Sequence, residues 1–427
     1  MRYLYNALFF LAIPLILLRL LWRSRKAPAY AQRWQERLGF YQTEPQSCDL
    51  WIHAVSVGEA EAVFPLIKLL QQLKPDIKLL ITTTTPTGSA RVQSILTHNI
   101  SHVYLPYDVP IIVKRFLKHF KPKIAVIVET EIWLNLFKQC HQNTIPLYLI
   151  NARLSEKSTR GYQKIPSLIK PALATISTIF TQSRLDAERF IQIGTIPDKV
   201  IHLGNIKFDI SISQDLLNQA RLIKDTQFAQ RFVWLLASTH DNEEAQLLSL
   251  YPCLKKEIPE LLIIIAPRHP ERFNTIIKLA EQHAYKLITK SSNQLCQSDT
   301  DIYLLDSIGE LKLFYATADI SFVGGSLVDI GGHNILEPAA IGTPIVFGQY
   351  MRNFKAIAEA ILNQQAAVQC FDLKAIEQSV LNLYHNETSR KTLANNAKAF
   401  ITQHQGVINK LADIFIMELN NRRSGFA

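Results

Sequence analysis

The sequence predicts an α/β protein of two doubly wound parallel-sheet domains behind an N-terminal membrane-anchoring helix. Two series of short apolar strands, each strand followed by a helix-like stretch, predict the domains, because strands buried on both faces read as continuous apolar runs. The series join near residues 208–230 of the 427, and a chain of this length holds about two domains. The anchor is predicted by the run Leu4–Trp22, broken only by Asn6, Pro14 and Arg19.

Composition narrows the class. Hydrophobic residues make up 48% and charged residues 19%, enough for two cores and contrary to a disordered chain. The five cysteines, Cys48, Cys140, Cys253, Cys296 and Cys370, never form a CxxC pair. That pattern excludes a disulfide scaffold or thiolate zinc site and fits a reducing compartment.

The anchor comes first in the chain. Arg2, Arg19, Arg23, Arg25, Lys26, Arg33 and Arg37 face Glu36 alone in residues 1–40, so this segment carries +6 of the net +10. Basic residues after an apolar run are the reverse of a cleaved signal peptide. Cations beside an apolar helix suit the cytoplasmic leaflet, with full spanning and monotopic insertion both open. Boundaries follow at 1–26 for the anchor, 27–208 for the first domain and 209–427 for the second, with the last helix free to pack back on the first domain. In the first domain LWIHAVSV, IKLLITTTT, SHVYLPYD, KIAVIVET, PLYLIN, TIFTQS and HLGNIKFD read as strands. In the second, RFVWLLAST, LLIIIAPRH, YKLITK, DIYLLD, ADISFVGG, TPIVFG and AAVQC do. Two such domains are expected to face each other across a cleft. Ligands bind outside the carboxyl ends of parallel strands, so the residues just after each strand are the candidates for chemistry.

After the first strand, Gly58 permits a tight turn or the close approach of a substrate phosphate or sugar, and Glu59 either complements a helix dipole or acts as a general base. Thr87 and Gly88, after the threonine-rich second strand, either cap a helix or hold a phosphate or sugar. Glu129 and Glu131 follow the fourth strand, where an unpaired buried carboxylate is costly; either is the functional one. Arg153 pairs with one of them or meets a phosphate, and Lys207 stands at the domain junction. In the second domain Arg268 and His269 end a strand, and Asp306 or Ser307 is a candidate cap for a helix at Ile308, Gly309, Glu310 and Leu311. Gly324, Gly325, Ser326, Gly331 and Gly332, followed by His333, Asn334, Ile335, Leu336 and Glu337, read as a backbone phosphate cradle at a helix start, Glu337 reaching ribose hydroxyls. GxGxxG after the first strand and a P-loop lysine are both absent.

The stretches HAVSVGEAEA, TTTTPTGSARV, YLPYDVP, ETEIWLNL, NARLSEKS, GNIKFD, PRHPERF and GGSLVDIGGHNILEPAAIGTPIVFG resemble the 3-deoxy-D-manno-octulosonic acid (Kdo) transferases of lipopolysaccharide biosynthesis, over almost the whole chain. The resemblance implies a GT-B glycosyltransferase fold, CMP-Kdo as donor and the lipid A precursor lipid IVA as acceptor, at the cytoplasmic face of the inner membrane. It implies Glu59 as catalytic base, Glu129 or Glu131 and Lys207 as helpers of the transition state, and Arg268, His269, Ile308 to Leu311 and Asn334 to Glu337 as CMP contacts. Single displacement with inversion, without a metal or other cofactor, is the expected reaction, since no DxD-type pair ends a strand. The rivals are a GT-B relative or epimerase using another nucleotide sugar, and a membrane scaffold that binds nucleotide without turnover. No motif or aromatic-interleaved basic stripe supports nucleic-acid binding.

Overall fold

The computed structural model describes residues 1–25, 27–97, 99–229 and 231–424, without the side chains of 423 and 424. Lys26 of the basic cluster lies outside the described residues. The chain divides into two compact units, Met1–Asp209 with Gly406–Ala427, and Ile210–Gln405.

The first unit is built on seven parallel strands: β1 (Leu50–His53), β2 (Leu79–Thr83), β3 (Ile100–Tyr104), β4 (Ile124–Val128), β5 (Leu147–Ala152), β6 (Thr178–Thr181) and β7 (Val200–His202). Their order is β3-β2-β1-β4-β5-β6-β7. Every residue of β1, β2, β4 and β5 is buried, because helices cover both faces and the branched and aromatic side chains fill both cores. The chain leaves β1 toward β2 and later returns to the other side of β1 with β4, so the switch point lies between the carboxyl ends of β1 and β4.

The stretch HLGNIKFD, read above as a strand, is not one. Pairing stops at His202, and Ile206–Phe208 forms a single 3-10 turn, with Asn205 Oδ1 accepting the Lys207 N–H. Gly204 (φ +110°) breaks the extended run. The helix Val57–Leu73 buries Ala60, Val63, Phe64, Leu66, Ile67 and Leu70, so it is a core helix. Against it packs the last helix, Val407–Ser424, whose Ile408, Leu411, Ala412, Phe415 and Leu419 recur at helical spacing and join the same core. The Asp209 carboxylate fastens its start by accepting the Ile408 N–H at 2.6 Å.

The N-terminal helix Arg2–Ser24 has no buried residue and is long and apolar enough to cross a membrane. Its first turn is fastened to the first unit by polar contacts. The Tyr5 hydroxyl donates to Asp108 Oδ2 at 2.8 Å, Arg2 to the Leu134 carbonyl at 2.7 Å, and Asn135 Nδ2 to Asn6 Oδ1 at 2.8 Å. Besides Arg2, two more of the early cations serve the fold. Arg37 is buried over the Tyr104 ring, and Arg33 forks onto Glu36 at 2.7 and 3.0 Å.

The second unit repeats the plan with β8 (Phe232–Thr239), β9 (Leu261–Pro267), β10 (Leu287–Thr289), β11 (Ile302–Leu304), β12 (Ile320–Val323), β13 (Ile345–Phe347) and β14 (Val368–Gln369), in the order β10-β11-β9-β8-β12-β13-β14. Here the winding reverses between β8 and β12.

Candidate active site

In an open parallel sheet the crevice at the switch point is where the carboxyl ends of two strands diverge. The first unit puts its acidic residues there. β1 runs into Ser56, which caps the Val57–Leu73 helix, and Glu59 is the third residue of that helix. This is the Ser-x-x-Glu arrangement in which cap and acid satisfy each other. Ser56 Oγ donates to Glu59 Oε1 at 3.1 Å and the Val55 N–H to Oε2 at 2.8 Å. Burial raises the pKa of this carboxyl above the usual carboxylate value, the two hydrogen bonds lower it in part, and the neighbouring Glu129 raises it further. Glu59 is thus both a cap and a carboxylate tuned upward.

Glu129 follows β4 with a left-handed backbone, φ +59°. That conformation is uncommon for a residue with a side chain and is concentrated at functional sites. Its carboxylate lies 3.5 Å from Lys207 Nζ. Lys207 is aimed by the 3-10 turn after β7, which is in turn held by Asn151 Oδ1 accepting the Ile206 N–H at 3.1 Å. Glu131 accepts the Trp133 indole N–H at 2.8 Å and sits 3.8 Å from Nε2 of the buried His53. Glu129 therefore has a lysine partner and Glu131 lies near an imidazole, whereas no lysine or arginine pairs with Glu59 among the described residues. Arg153 is exposed and makes neither ion pair.

Thr87 and Gly88 take part in a helix cap. The Gly88 N–H is taken by Thr85 Oγ1, which caps the helix Pro86–Gln93, and the exposed Thr87 hydroxyl turns back to Thr85. Gly58 lies exposed in the first turn after β1.

The glycine-rich loop of the second unit is spent internally as well. The buried Glu243 carboxylate accepts the N–H groups of Gly325 (2.7 Å), Ser326 (3.1 Å), Leu327 (2.9 Å) and His240 (2.9 Å). The Gly324 N–H bonds Ala237 O, and those of Gly331 and Gly332 bond Gly325 O. A protein carboxylate thus fills the place in which the sequence reading put a phosphate, because a nest of N–H groups satisfies either anion. Gly324 is required for approach: a Cβ there would stand 2.6 Å from the Ser238 carbonyl. Glu243 was missed in the sequence, where it reads as an acid at a helix start.

Side chains are what this loop presents. His333 follows the glycines, with Asn334 Oδ1 accepting the Leu336 N–H at 3.0 Å; Ile335 and Leu336 are buried, and Glu337 lies in the first turn of the helix Leu336–Ile341. Arg268 and His269 are exposed just after β9. His240, just after β8, lies parallel to His333, with ring centroids 4.9 Å apart and planes 3° apart. Around residue 308 the predicted cap is wrong. Asp306 instead accepts the Ser291 N–H, and the helix begins only at Leu311, without a side-chain cap. Ile308 is exposed, Gly309 turns at φ +91°, and Glu310 pairs with Lys290 at 2.8 Å.

Each unit thus sets side chains suited to chemistry at the switch point of a parallel sheet, acids in the first and basic groups in the second, as a two-unit α/β enzyme would. A family model described as 3-Deoxy-D-manno-octulosonic-acid transferase (kdotransferase) matches residues 32–210. The 3-deoxy-D-manno-octulosonic acid transferase of Haemophilus influenzae is 36% identical over 97% of this chain and 97% of its own length. A solved C-terminal CMP-Kdo binding domain of WaaA from Acinetobacter baumannii is 32% identical, covering 44% of this chain and 98% of that one, with a TM-score of 0.42. The UDP-GlcNAc 2-epimerase of Neisseria meningitidis shares the GT-B-type fold at 17% identity and a TM-score of 0.55, over 88% of this chain and 100% of its own. The chain belongs to the 3-deoxy-D-manno-octulosonic acid transferase family.

Proposed function

We propose that this protein transfers Kdo from CMP-Kdo to the lipid A precursor lipid IVA, in lipopolysaccharide core biosynthesis, by an inverting displacement without a metal. The acceptor hydroxyl attacks the anomeric carbon of Kdo as the bond from that carbon to the CMP phosphate oxygen breaks. Glu59 takes the hydroxyl proton, and CMP departs with the bonding electrons. The observation that carries the reading is the carboxylate of Glu59, held by Ser56 and Val55 at the first switch point, raised in pKa by burial, and, among the described residues, without the lysine that its neighbour Glu129 has. A base is effective when its pKa lies toward the working pH. Lys207 with Glu129 supports the developing charge distribution, and Arg268 and His269 oppose the charge on the departing phosphate. Mass spectrometry of the product formed from CMP-Kdo and lipid IVA tests the assignment. Kdo-extended lipid IVA is expected; no product, or equal turnover of a UDP-sugar, rejects it.

The pH dependence carries a sign. Because Glu129 raises the Glu59 pKa, Glu129→Gln moves the acid limb of kcat/KM to lower pH, whatever it does to the plateau. An acid limb that stays fixed or moves upward would remove Glu59 from that limb.

The N-terminal helix serves membrane docking in this reading. Its exposed Leu4, Leu8, Leu11, Leu15, Leu18 and Trp22 form one apolar stripe, and its first turn is tied to Asp108 and Asn135. Insertion from one side, at the cytoplasmic leaflet of the inner membrane, is the arrangement these contacts favour. Replacing Leu8 and Leu15 together by Gln is expected to weaken binding to anionic phospholipid vesicles at least about tenfold, since each buried leucine contributes about 1.5–3 kcal/mol. Undiminished co-sedimentation would assign the helix another role.

A further inference from the structure

His240 and His333 lie 93 residues apart, yet their Nε2 atoms meet at 2.7 Å. The two rings come from the two strands that flank the second switch point, His240 after β8 and His333 in the loop after β12. Gly325 makes the meeting possible, because a Cβ there would stand 3.0 Å from the His333 ring.

Two nitrogens at this distance need one proton between them. In the neutral pair one ring donates Nε2–H, and its own Nδ1 is bare. A single added proton fits on that Nδ1 and leaves the central N–H···N bond in place, now charge-assisted. A second added proton would set two N–H groups against each other, so the pair holds one extra proton and no more.

The surroundings keep that proton off. Burial first, then His240, Arg268 and His269, lower the pKa of His333 to about 4. Burial, His269, Arg268 and Arg272 lower that of His240, against a partial rise from Glu244. Glu244 is itself clamped by Arg272 at 2.9 and 3.2 Å, and the Glu243 carboxylate is committed to the backbone. The balance at the pair is therefore positive, a surface that accepts a proton only together with an anion.

We propose that the His240–His333 pair takes up one proton when the phosphate of a cytidine nucleotide binds at this switch point, becoming a shared monocation that faces the departing CMP. The inference rests on the donor reading above and deepens it. The N–H groups of Gly325, Ser326 and Leu327 are spent on Glu243 and those of Gly331 and Gly332 on Gly325 O, so at the glycines the added charge comes from side chains. An anion raises the pKa of a neighbouring imidazole, and near neutral pH the pair crosses from unprotonated to singly protonated on binding.

Calorimetric titration of the full chain with CMP at about pH 7.5, in two buffers of different ionisation heat, reads the protons directly. The expected result is uptake of about one proton per CMP. His240→Asn and His333→Asn should each bind CMP about tenfold more weakly and lose the uptake. CMP binding to the unaltered protein without buffer dependence would overturn the proposal, and that arm needs no variant to fold. Uptake that persists in both variants would also overturn it, placing the proton on the nucleotide phosphate. Absence of any CMP binding would overturn the donor reading and this inference with it.

Discussion

Glu59→Gln is expected to lower kcat for Kdo transfer by about 10²- to 10⁴-fold, the range associated with loss of a positioned general base, while CMP affinity stays near that of the unaltered protein. The separation follows from what the carboxylate does in the fold. Glu59 accepts one hydrogen bond from Val55 N–H and one from Ser56 Oγ. A glutamine oxygen still accepts one of them, so the cost to folding is about 1 kcal/mol or less. The basicity is lost entirely. Steady-state kinetics, CMP titration and a thermal melt on the same preparation check the three parts. A variant that melts early and loses CMP binding with activity would show a structural role only.

The largest effect on stability is expected at Glu243. Its fully buried carboxylate collects four backbone N–H groups from two loops. Glu243→Ala strands them, and each orphaned buried donor costs about 1–3 kcal/mol. Water entering the vacated space relieves part of the loss, leaving a destabilisation of about 4 kcal/mol, among the large single-residue effects. Urea unfolding measures it. The same substitution releases the turns that carry His240 and Gly325, so CMP affinity should fall in the variant even where it remains folded. A loss below about 1 kcal/mol would mean that the loops satisfy those donors without the carboxylate.

The strands were legible because both faces are covered, and apolar runs such as Ile124–Val128 admit little else. HLGNIKFD misled because its apolar residues serve a 3-10 turn that aims Lys207; composition does not distinguish the two. At the first switch point the acids were legible individually, since each follows a strand. Which basic group each one meets was not, because His53 with Glu131 and Lys207 with Glu129 are pairings between distant segments. In the second unit the glycine cluster pointed to an anion, and the anion is Glu243, some 80 residues earlier. A nest of N–H groups has one composition whether a phosphate or a carboxylate fills it. Glu243 and Glu244 read in the sequence as ordinary acids at a helix start, a pattern that favours the helix dipole, and nothing local reveals that they bind a loop and an arginine fork. The His240–His333 contact is invisible for the same reason.

The most direct measurement of the central claim is the pH profile of kcat/KM for Kdo transfer, taken side by side for the unaltered protein and Glu59→Gln. If Glu59 takes the acceptor proton, the unaltered protein loses activity as the pH falls through one ionisation lying above the usual carboxylate value, and the residual activity of Glu59→Gln lacks that limb. An identical acid limb in both proteins would contradict the assignment and place the base elsewhere.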